Sequence, residues 1–126
     1  MSKVELEIDG KIARIYLNRP EVLNAIDAQL PSLLSKAVKE ASDNDNVHVI
    51  ILAGRGGAFC AGYDLNAFAK NKDNPLTQKM PWDPIKDYRF MWENNKHFMS
   101  LFHCLKPVIC KIHGLGALAG GTDIAL

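Results

Sequence analysis

Two glycine-rich clusters stand where backbone N–H groups could hold a charged oxygen. The first, GGAFCAGYDL (56–65), follows the apolar run VHVIILA, and the second, HGLGALAGGTD (113–123), follows a second apolar run over 108–112. A glycine-rich bend after a buried strand lets a ligand approach the main chain, and a helix that opens after such a bend has free N–H groups in its first turn. Two such donors meeting at one carbonyl oxygen would form an oxyanion hole, which stabilises the charge that develops there.

The same glycines also allow two nucleotide-binding motifs to be tested. The glycines of 57–62 have the spacing of a phosphate loop, but Tyr63-Asp64 stands where that motif requires Lys followed by Ser or Thr. This alternative therefore fails. Residues 114–119 match the G-x-G-x-x-A pattern of a dinucleotide-binding fold, whose acidic residue about 20 positions further on would lie beyond the end of the chain. Dinucleotide binding stays open as a weaker alternative.

Length and composition favour one domain with a sizeable core. The chain has 126 residues, of which 48% are hydrophobic, and its formal net charge is +1. We therefore place a single, partial domain at residues 1–126. The near-neutral charge, without a basic cluster interleaved with aromatic residues, argues against a nucleic-acid partner. No apolar run approaches the length of a membrane helix, so no membrane association is expected.

Cysteine and histidine usage excludes two further kinds of site. The three cysteines are odd in number and form no CxxC motif, so reduced thiols and a cytoplasmic location are expected. His97 and His103 lie six residues apart on a predicted helix and do not share a face, so no metal site is expected. Cys60 lies inside the first cluster, but no histidine is fixed beside it to activate a nucleophile.

The elements that must position these clusters follow from hydrophobic spacing and from turn and cap residues. Alternation of apolar and polar residues predicts strands, and apolar residues at helical spacing predict helices. A long polar segment with two prolines predicts a mobile surface loop. In chain order, the prediction is strands over 4–9 and 12–17 joined at Asp9-Gly10, a helix with Asp27 as N-cap that ends within 42–46, a buried strand over 47–53, a mobile loop over about 70–81, a helix from Asp83-Pro84 to Lys106-Pro107, a buried strand over 108–112 and a final helix opening at Thr122.

The long second helix carries an aromatic and methionine stripe, for which core packing is the prediction. Its members are Tyr88, Met91, Trp92, Phe98, Met99, Phe102 and Leu105. The order β-β-α-β-loop-α-β-α favours an α/β layered fold with parallel strands joined by helices. The last residues indicate the opening of a helix that normally continues, so we expect a truncated chain or a fragment of a longer one.

Three segments together resemble the crotonase family, the enoyl-CoA hydratase/isomerase superfamily. GGAFCAGYDL resembles its xGxxFCAGxDL segment, KPVICKIHG followed by AGGTDIAL resembles KPVIAAVNG…GGGxxLAL, and LNRPEVLNAID resembles LNRPxxxNAL. The segment over 80–102 resembles an insertion carried by a subset of bacterial members. The resemblance covers the whole chain but only the N-terminal half of a usual member. It implies a crotonase-like α/β fold, a spiral of β-β-α units, truncated before the C-terminal half.

The resemblance also implies site residues and a substrate. The N–H groups of Tyr63 and Gly120 would hold the thioester oxygen of an acyl-CoA while the α-carbon becomes enolate-like. Asp123 stands where hydratases of the family have their first catalytic glutamate and is one methylene shorter; the second glutamate would lie beyond Leu126. Coenzyme A enters as part of the substrate, with no other cofactor and no metal. The residues matched to the CoA path are Arg19, Asn24, Ala25, Ala61, Asp64 and Leu65.

The predicted function is that of an enoyl-CoA hydratase/isomerase-like protein that binds acyl-CoA thioesters. The family assembles as trimers or hexamers, so a homo-oligomer is expected. The alternative is an inactive crotonase-like remnant or an acyl-CoA binding or assembly module. Simpler structural roles also remain for single residues: Asp123 could only complement a helix dipole, His113 could be a hydrogen-bonded turn residue, and the Tyr63 phenol could only line the acyl pocket.

Overall fold

A computed structural model describes residues 2–126, which form a four-stranded mixed sheet flanked by helices. The sheet order follows the chain order, with β1 beside β2, β2 beside β3, and β3 beside β4. The first pair is antiparallel and the other two pairs are parallel, so the predicted α/β arrangement is confirmed. The strands are β1 (Val4–Asp9), β2 (Ile12–Leu17), β3 (Val49–Gly54) and β4 (Val108–Cys110).

The first helix, α1 (Leu30–Asp43), covers one face of this sheet and closes the core. Its apolar residues recur every three or four positions, so they share the face that packs on the strands. Ala13, Ile15 and Leu17 of β2 are fully buried beneath it. The buried residues of α1 are Leu30, Pro31, Leu34, Ala37, Val38 and Ala41.

The start of α1 differs slightly from the prediction. Asp27 was expected to be the N-cap, but the cap position is Gln29 and the helix begins at Leu30. Asp27 nevertheless provides capping hydrogen bonds, because its Oδ1 accepts the N–H groups of Gln29 at 3.0 Å and Leu30 at 2.9 Å. Pro31 lies in the first turn, where its missing N–H costs nothing.

The second long helix, α2 (Pro84–His103), begins as predicted and ends earlier than predicted. Asp83 is its N-cap, and the Asp83 carboxylate accepts the N–H of Ile85 at 2.9 Å. The helix was expected to continue to Lys106, but Cys104 already has extended backbone angles. Pro107 disfavours helical geometry only at Lys106, so the break comes two residues before that restriction applies.

The prediction that the α2 stripe packs into the core is wrong for all its members except Phe98. Phe98 is 5% exposed, whereas Trp92 is 52% and Phe102 75% exposed. The reason is that α2 contacts α1 and the short final helix α3 (Gly120–Ala125), while its remaining face has no further layer among residues 2–126. The exposed members are Tyr88, Met91, Trp92, Met99, Phe102 and Leu105.

The strand expected over 108–112 is shorter and less buried than predicted. Only Val108–Cys110 pair with β3, and Ile109 and Ile112 are exposed. The cause is position: β4 lies at the edge of the sheet formed by residues 2–126, where one side of it has no neighbouring strand. The segment expected to be a mobile loop contains turns but neither helix nor strand after a π-helical turn at Asn66–Lys70; its mobility stays a prediction. No helix in the part of the chain described is long and apolar enough to cross a membrane.

Lys106 joins the segment after α2 to the end of α1. Its ammonium group donates to the carbonyl oxygens of Ala41, at 3.2 Å, and Asn44. The last carbonyls of a helix have no partner inside it, and a cation placed there satisfies them and complements the negative end of the helix dipole. Lys106 therefore holds β4 and the segment before it against α1.

We expect Lys106→Met to lower the free energy of unfolding by about 1 kcal/mol, because the methionine keeps the apolar stem but loses both hydrogen bonds and the charge. Urea denaturation followed by circular dichroism measures the loss. The matched control is Lys36→Met on the exposed side of α1, which should change the unfolding free energy by less than half as much. Equal losses in the two variants would show that the hydrogen bonds of Lys106 to Ala41 and Asn44 add nothing beyond the loss of one positive charge.

Candidate functional site

The backbone of Tyr63 is fixed by its pairing with Ile26. Ile26 donates its N–H to the carbonyl oxygen of Gly62 at 2.8 Å, and Asp64 donates its N–H to the carbonyl oxygen of Ile26 at 2.8 Å. Because neighbouring peptide groups of an extended chain point to opposite sides, the N–H of Tyr63 faces away from Ile26. Among residues 2–126 this N–H has no acceptor.

The N–H of Gly120 is also without an acceptor in the described chain. Gly121 and Thr122 donate their N–H groups to Leu118 and Ala119, at 2.8 and 2.9 Å, but the N–H of Gly120 itself makes no such bond. Gly120 is the first residue of α3, two residues before the start at Thr122 that the apolar pattern predicted. Because α3 has only six residues, its dipole is small, and the unpaired Gly120 amide is the feature that could bind an anion.

These two amides belong to loops that touch each other. A Cβ atom built on Gly120 would lie 2.8 Å from Cε2 of the Tyr63 ring. A Cβ atom built on Gly62 would lie 3.5 Å from the Gly120 nitrogen and 3.0 Å from the Ala119 Cβ. The structure therefore brings residues 63 and 120 into contact through the Tyr63 ring; that their two N–H groups meet at one oxygen stays a prediction.

Backbone pairing between the two glycine clusters produces this contact. Leu118 donates its N–H to the Cys60 oxygen at 3.0 Å, and Leu115 donates to the Gly57 oxygen at 3.0 Å. Gly114 has a φ of 60°, and a Cβ there would lie 1.9 Å from the Gly57 oxygen, so only glycine allows the approach. The pairing also weakens the dinucleotide alternative, because the amides of Leu115, Gly116 and Leu118 already donate within the chain.

Ala119 is a site residue that the sequence analysis did not single out. It has φ 46° and ψ −122°, a conformation that costs a residue with a Cβ on the order of 1–3 kcal/mol. This bend reverses the chain between Leu118, which pairs with Cys60, and Gly120, which begins α3. The available signal was the AGG sequence itself, in which Ala119 stands where the resembled GGG segment has glycine.

Asn24, expected on the CoA path, is wholly engaged inside the protein. It is fully buried, and its Oδ1 accepts the N–H of Arg19 at 2.7 Å. Its Nδ2 donates to the carbonyl oxygens of Arg55 and Ala58, both at 2.9 Å. With φ 57° it also occupies a left-handed conformation that asparagine tolerates better than most residues. The Asn24 side chain therefore ties the 19–25 turn to the first glycine loop.

Arg19, Ala25 and Asp64 form a second internal network. The Arg19 guanidinium donates to the Ala25 carbonyl oxygen and to Oδ2 of Asp64 at 2.9 Å, and its Nε lies 3.8 Å from Oδ2 of Asp27. Asp64 Oδ1 also accepts the N–H groups of Asn66 and Ala67, at 3.0 and 3.1 Å. These side chains therefore hold the turn that follows Tyr63.

The remaining two residues expected on the CoA path lie on either side of Tyr63. Ala61 donates its N–H to the Leu23 oxygen at 3.0 Å, and the Leu65 side chain is 71% exposed. All six expected residues thus come together around the first loop, but Leu65 presents the most open side chain of the set.

Both buried aspartates of this network have lowered pKa values. Burial alone would raise the pKa of Asp64, but the hydrogen bonds from Arg19 and from the Ala67 backbone, together with the Arg19 charge, lower it below its ordinary value. Burial likewise opposes the shift at Asp27, where Lys3 and the Leu30 and Gln29 amides lower the pKa. Both carboxylates are therefore charged at neutral pH.

A cleft of about 240 Å³ is lined by Tyr63 from the first loop, Asp123 from α3 and four residues of α2. Burial raises the pKa of the Tyr63 phenol, the nearby Asn94 partly offsets that rise, and the Asp123 carboxylate adds to it, so the phenol stays protonated. The cleft residues from α2 were missed by the sequence analysis, which assigned that stripe to the core, although 88/92 and 91/95 are both four apart and so share a helix face. The lining residues are Tyr63, Tyr88, Met91, Trp92, Asn95 and Asp123.

Two further sequence hypotheses concern His113 and Cys60. The Nε2 atom of His113 lies 2.8 Å from the Gly56 oxygen, which agrees with a hydrogen-bonded turn residue. Cys60 is fully buried, and burial raises the pKa of its thiol, which disfavours the thiolate that a nucleophile requires. Within residues 2–126, no group of three metal-ligating side chains comes together.

Comparison with known proteins finds a matching family model and similar sequences. Residues 7–126 match the family model described as enoyl-CoA hydratase/isomerase. The chain is 29% identical over 123 residues to a probable enoyl-CoA hydratase of Mycobacterium tuberculosis, covering 98% of this chain and 43% of that protein. It is 32% identical over 117 residues to the 1,2-epoxyphenylacetyl-CoA isomerase of Escherichia coli strain K12, covering 91% of this chain and 41% of that protein.

Solved structures agree with the sequence matches. An enoyl-CoA hydratase from Mycobacterium smegmatis superposes with a TM-score of 0.86 at 44% identity, covering 100% of this chain and 44% of that one. An enoyl-CoA hydratase/isomerase from Xanthobacter autotrophicus Py2 superposes with a TM-score of 0.81 at 30% identity, covering 98% and 42%. The α/β crotonase fold is confirmed, and the chain spans less than half the length of these relatives.

We expect Asn24→Ala to lower the free energy of unfolding by about 2–4 kcal/mol, since it leaves the buried carbonyls of Arg55 and Ala58 without a donor. Hydrogen exchange should also accelerate at the Ala61 and Asp64 amides, which the 19–26 segment holds in place. Urea denaturation and exchange measured by NMR give the two readouts. Asn66→Ala, at an exposed position after the same loop, should leave both near the wild-type values.

The lowered pKa of Asp64 predicts a pH dependence of stability. In the unfolded chain the carboxyl titrates near its ordinary value of 3.8. Its contribution is therefore complete above that value and is lost as the pH falls through the lower folded-state pKa. Unfolding free energies measured between about pH 2.5 and 6 should fall less steeply toward acid in Asp64→Asn than in the wild type. Asp43→Asn, which removes an exposed carboxylate, should keep the wild-type slope; a parallel slope in Asp64→Asn would contradict the assignment.

Proposed function

The chain belongs to the enoyl-CoA hydratase/isomerase family, and from that membership we propose that it binds acyl-CoA thioesters through an oxyanion hole made by the N–H groups of Tyr63 and Gly120. The observation that carries the proposal is that the Tyr63 and Gly120 amides have no acceptor among residues 2–126 and lie on loops in contact, one of which contributes Tyr63 to a cleft that Asp123 also lines. Backbone N–H groups of folded proteins are rarely left without a partner, which supports a ligand oxygen as the missing acceptor.

The proposed chemistry is addition of water to an enoyl-CoA, or movement of its double bond. When the water oxygen bonds to the β-carbon, the electron pair of the double bond moves toward the thioester oxygen, which becomes anionic. The Tyr63 and Gly120 amides stabilise that charge, and the pair returns when the α-carbon takes a proton. The donors act without reorganisation because the Ile26 bridge and the Cys60–Leu118 hydrogen bond hold them in place.

Asp123 is the proposed acid or base. It lines the same cleft as Tyr63, so proton transfer at the α- or β-carbon would occur beside the anion-stabilising amides. Its side chain is one methylene shorter than the glutamate of the resembled segment. The Asp123 carboxylate would therefore act over a longer distance or through a water molecule.

The CoA portion of the substrate is proposed to lie along the first loop. Of the expected set, the Leu65 side chain is the exposed part that would contact the substrate, whereas Arg19, Asn24, Ala25, Ala61 and Asp64 hold the loop through internal hydrogen bonds. The substrate brings its own coenzyme A, and we propose no further cofactor. A trimer or hexamer is proposed from family membership, and a cytoplasmic location is supported by the three free thiols.

Acyl-CoA binding without turnover is the second candidate function. It is favoured by the cleft lining, in which Asp123 is the one carboxylate contributed by residues 2–126. A hydratase reaction that uses two carboxylates would need another residue. An acyl-CoA binding or assembly module, or an inactive remnant, would need only the oxyanion hole and the cleft.

We expect Gly120→Pro, which deletes one donor N–H, to lower the rate of crotonyl-CoA hydration by about 100- to 1000-fold. Gly120→Ala is the matched control: it keeps the N–H but places a Cβ 2.8 Å from the Tyr63 ring, so it measures the steric cost alone and should lower the rate less than Gly120→Pro. Isotope-edited infrared spectroscopy provides a second readout, because two hydrogen bonds should shift the carbonyl stretch of bound thioester to lower frequency in the wild type and in Gly120→Ala.

These measurements separate the two functions. Thioester binding with a shifted carbonyl band but no hydration supports the binding module. Equal behaviour of the proline and alanine variants would show that the Gly120 N–H does not contact the substrate, and an unshifted band in the wild type would remove the oxyanion hole altogether.

A further inference from the structure

Resting on the proposed function, we infer that the acyl group of the substrate carries an aromatic ring, which the exposed rings of Tyr88 and Trp92 bind in the cleft. Tyr63 links the two places, since it lines the cleft and its own N–H is one of the proposed oxyanion donors. We therefore assign the acyl chain of a thioester held at that amide to the cleft between Tyr63 and α2.

The walls of the cleft are built for a planar apolar group. Tyr88 and Trp92 lie four residues apart on α2, their ring planes differ by 10° and their centroids are 6.4 Å apart. Tyr88 and Trp92 are each more than half exposed within residues 2–126, and their rings are stacked on each other, so a further ring can extend the stack on one side. Met91 supplies a polarizable thioether, which packs well against the edge of an aromatic ring.

The size of the cleft fits one ring with a short linker. Its volume is about 240 Å³. A cavity of about 150 Å³ is large enough to hold benzene. The difference leaves room for the two or three carbons that join a ring to the thioester carbonyl.

The negative charge of Asp123 in the lining selects against acyl groups that end in a carboxylate. Asp123 is the one charged residue among those that line the cleft, and it is an anion. An acyl chain that ends in a carboxylate would be repelled by it, whereas the edge of an aromatic ring carries partial positive charge and is attracted. A saturated chain of similar area would gain burial but would lose the stacking contribution of Tyr88 and Trp92.

The test compares two ligands that differ only in the ring. 3-Phenylpropanoyl-CoA and 3-cyclohexylpropanoyl-CoA have no α,β double bond, so neither can be hydrated, and isothermal titration measures binding alone. The cyclohexyl ligand is the more hydrophobic, so burial by itself predicts that it binds more tightly. We expect the reverse, with the phenyl ligand bound about 3- to 10-fold more tightly.

Variants assign the preference to the cleft. Trp92→Leu and Tyr88→Leu should each reduce the phenyl preference to less than about 2-fold while changing cyclohexyl binding little. Trp82→Leu is the control, since Trp82 is exposed near the start of α2 but lies outside the cleft, and it should keep the wild-type ratio.

The outcomes distinguish the two levels of the proposal. Acetyl-CoA binding with no preference between the ring ligands, or a preference unchanged in both α2 variants, overturns the aromatic acyl group and leaves the proposed function standing. Failure of acetyl-CoA and both ring ligands to bind overturns the proposed function and this inference with it.

Discussion

The hydrogen-bonded pairing of the two glycine-rich loops is the constraint on which the rest of the structure depends. The loops leave the ends of neighbouring parallel strands, and bonds such as that from Leu118 to Cys60 hold them together. The pairing requires a main chain without side chains at the points of contact, as the approach of Gly114 to Gly57 shows. Within residues 2–126 the amides of Tyr63 and Gly120 remain without an acceptor after this pairing.

A buried polar layer beneath the first loop fixes that arrangement. Asn24 satisfies two carbonyl groups of the loop, and Arg19 pairs with Asp64 directly after Tyr63. Burying a polar or charged side chain without hydrogen-bond partners costs free energy, but Asn24, Arg19 and Asp64 each have several partners here. Residues that the sequence placed beside the ligand are therefore the support of the loop that would contact it.

Much of the fold could be predicted because it follows from local patterns. Alternation marked β1 and β2, and the Asp83-Pro84 pair marked the start of α2. The environment of a helix face could not be predicted in the same way. The spacing of Tyr88 and Trp92 shows that they share a face, but not whether another layer covers it. Likewise the sequence identifies β4 as an apolar strand, but only the sheet order shows that it lies at an edge.

The candidate site likewise has residues that the sequence could predict and residues that it could not. Motif resemblance indicated Tyr63, Gly120 and Asp123, which the structure brings to one region. The strained backbone of Ala119 and the internal bonds of Asn24 depend on contacts between distant segments. Within residues 2–126, the outer edge of β4 carries unpaired backbone groups beside the exposed Ile109 side chain. A strand edge of this kind is a template for a further strand, so this is the side on which the sheet can be extended.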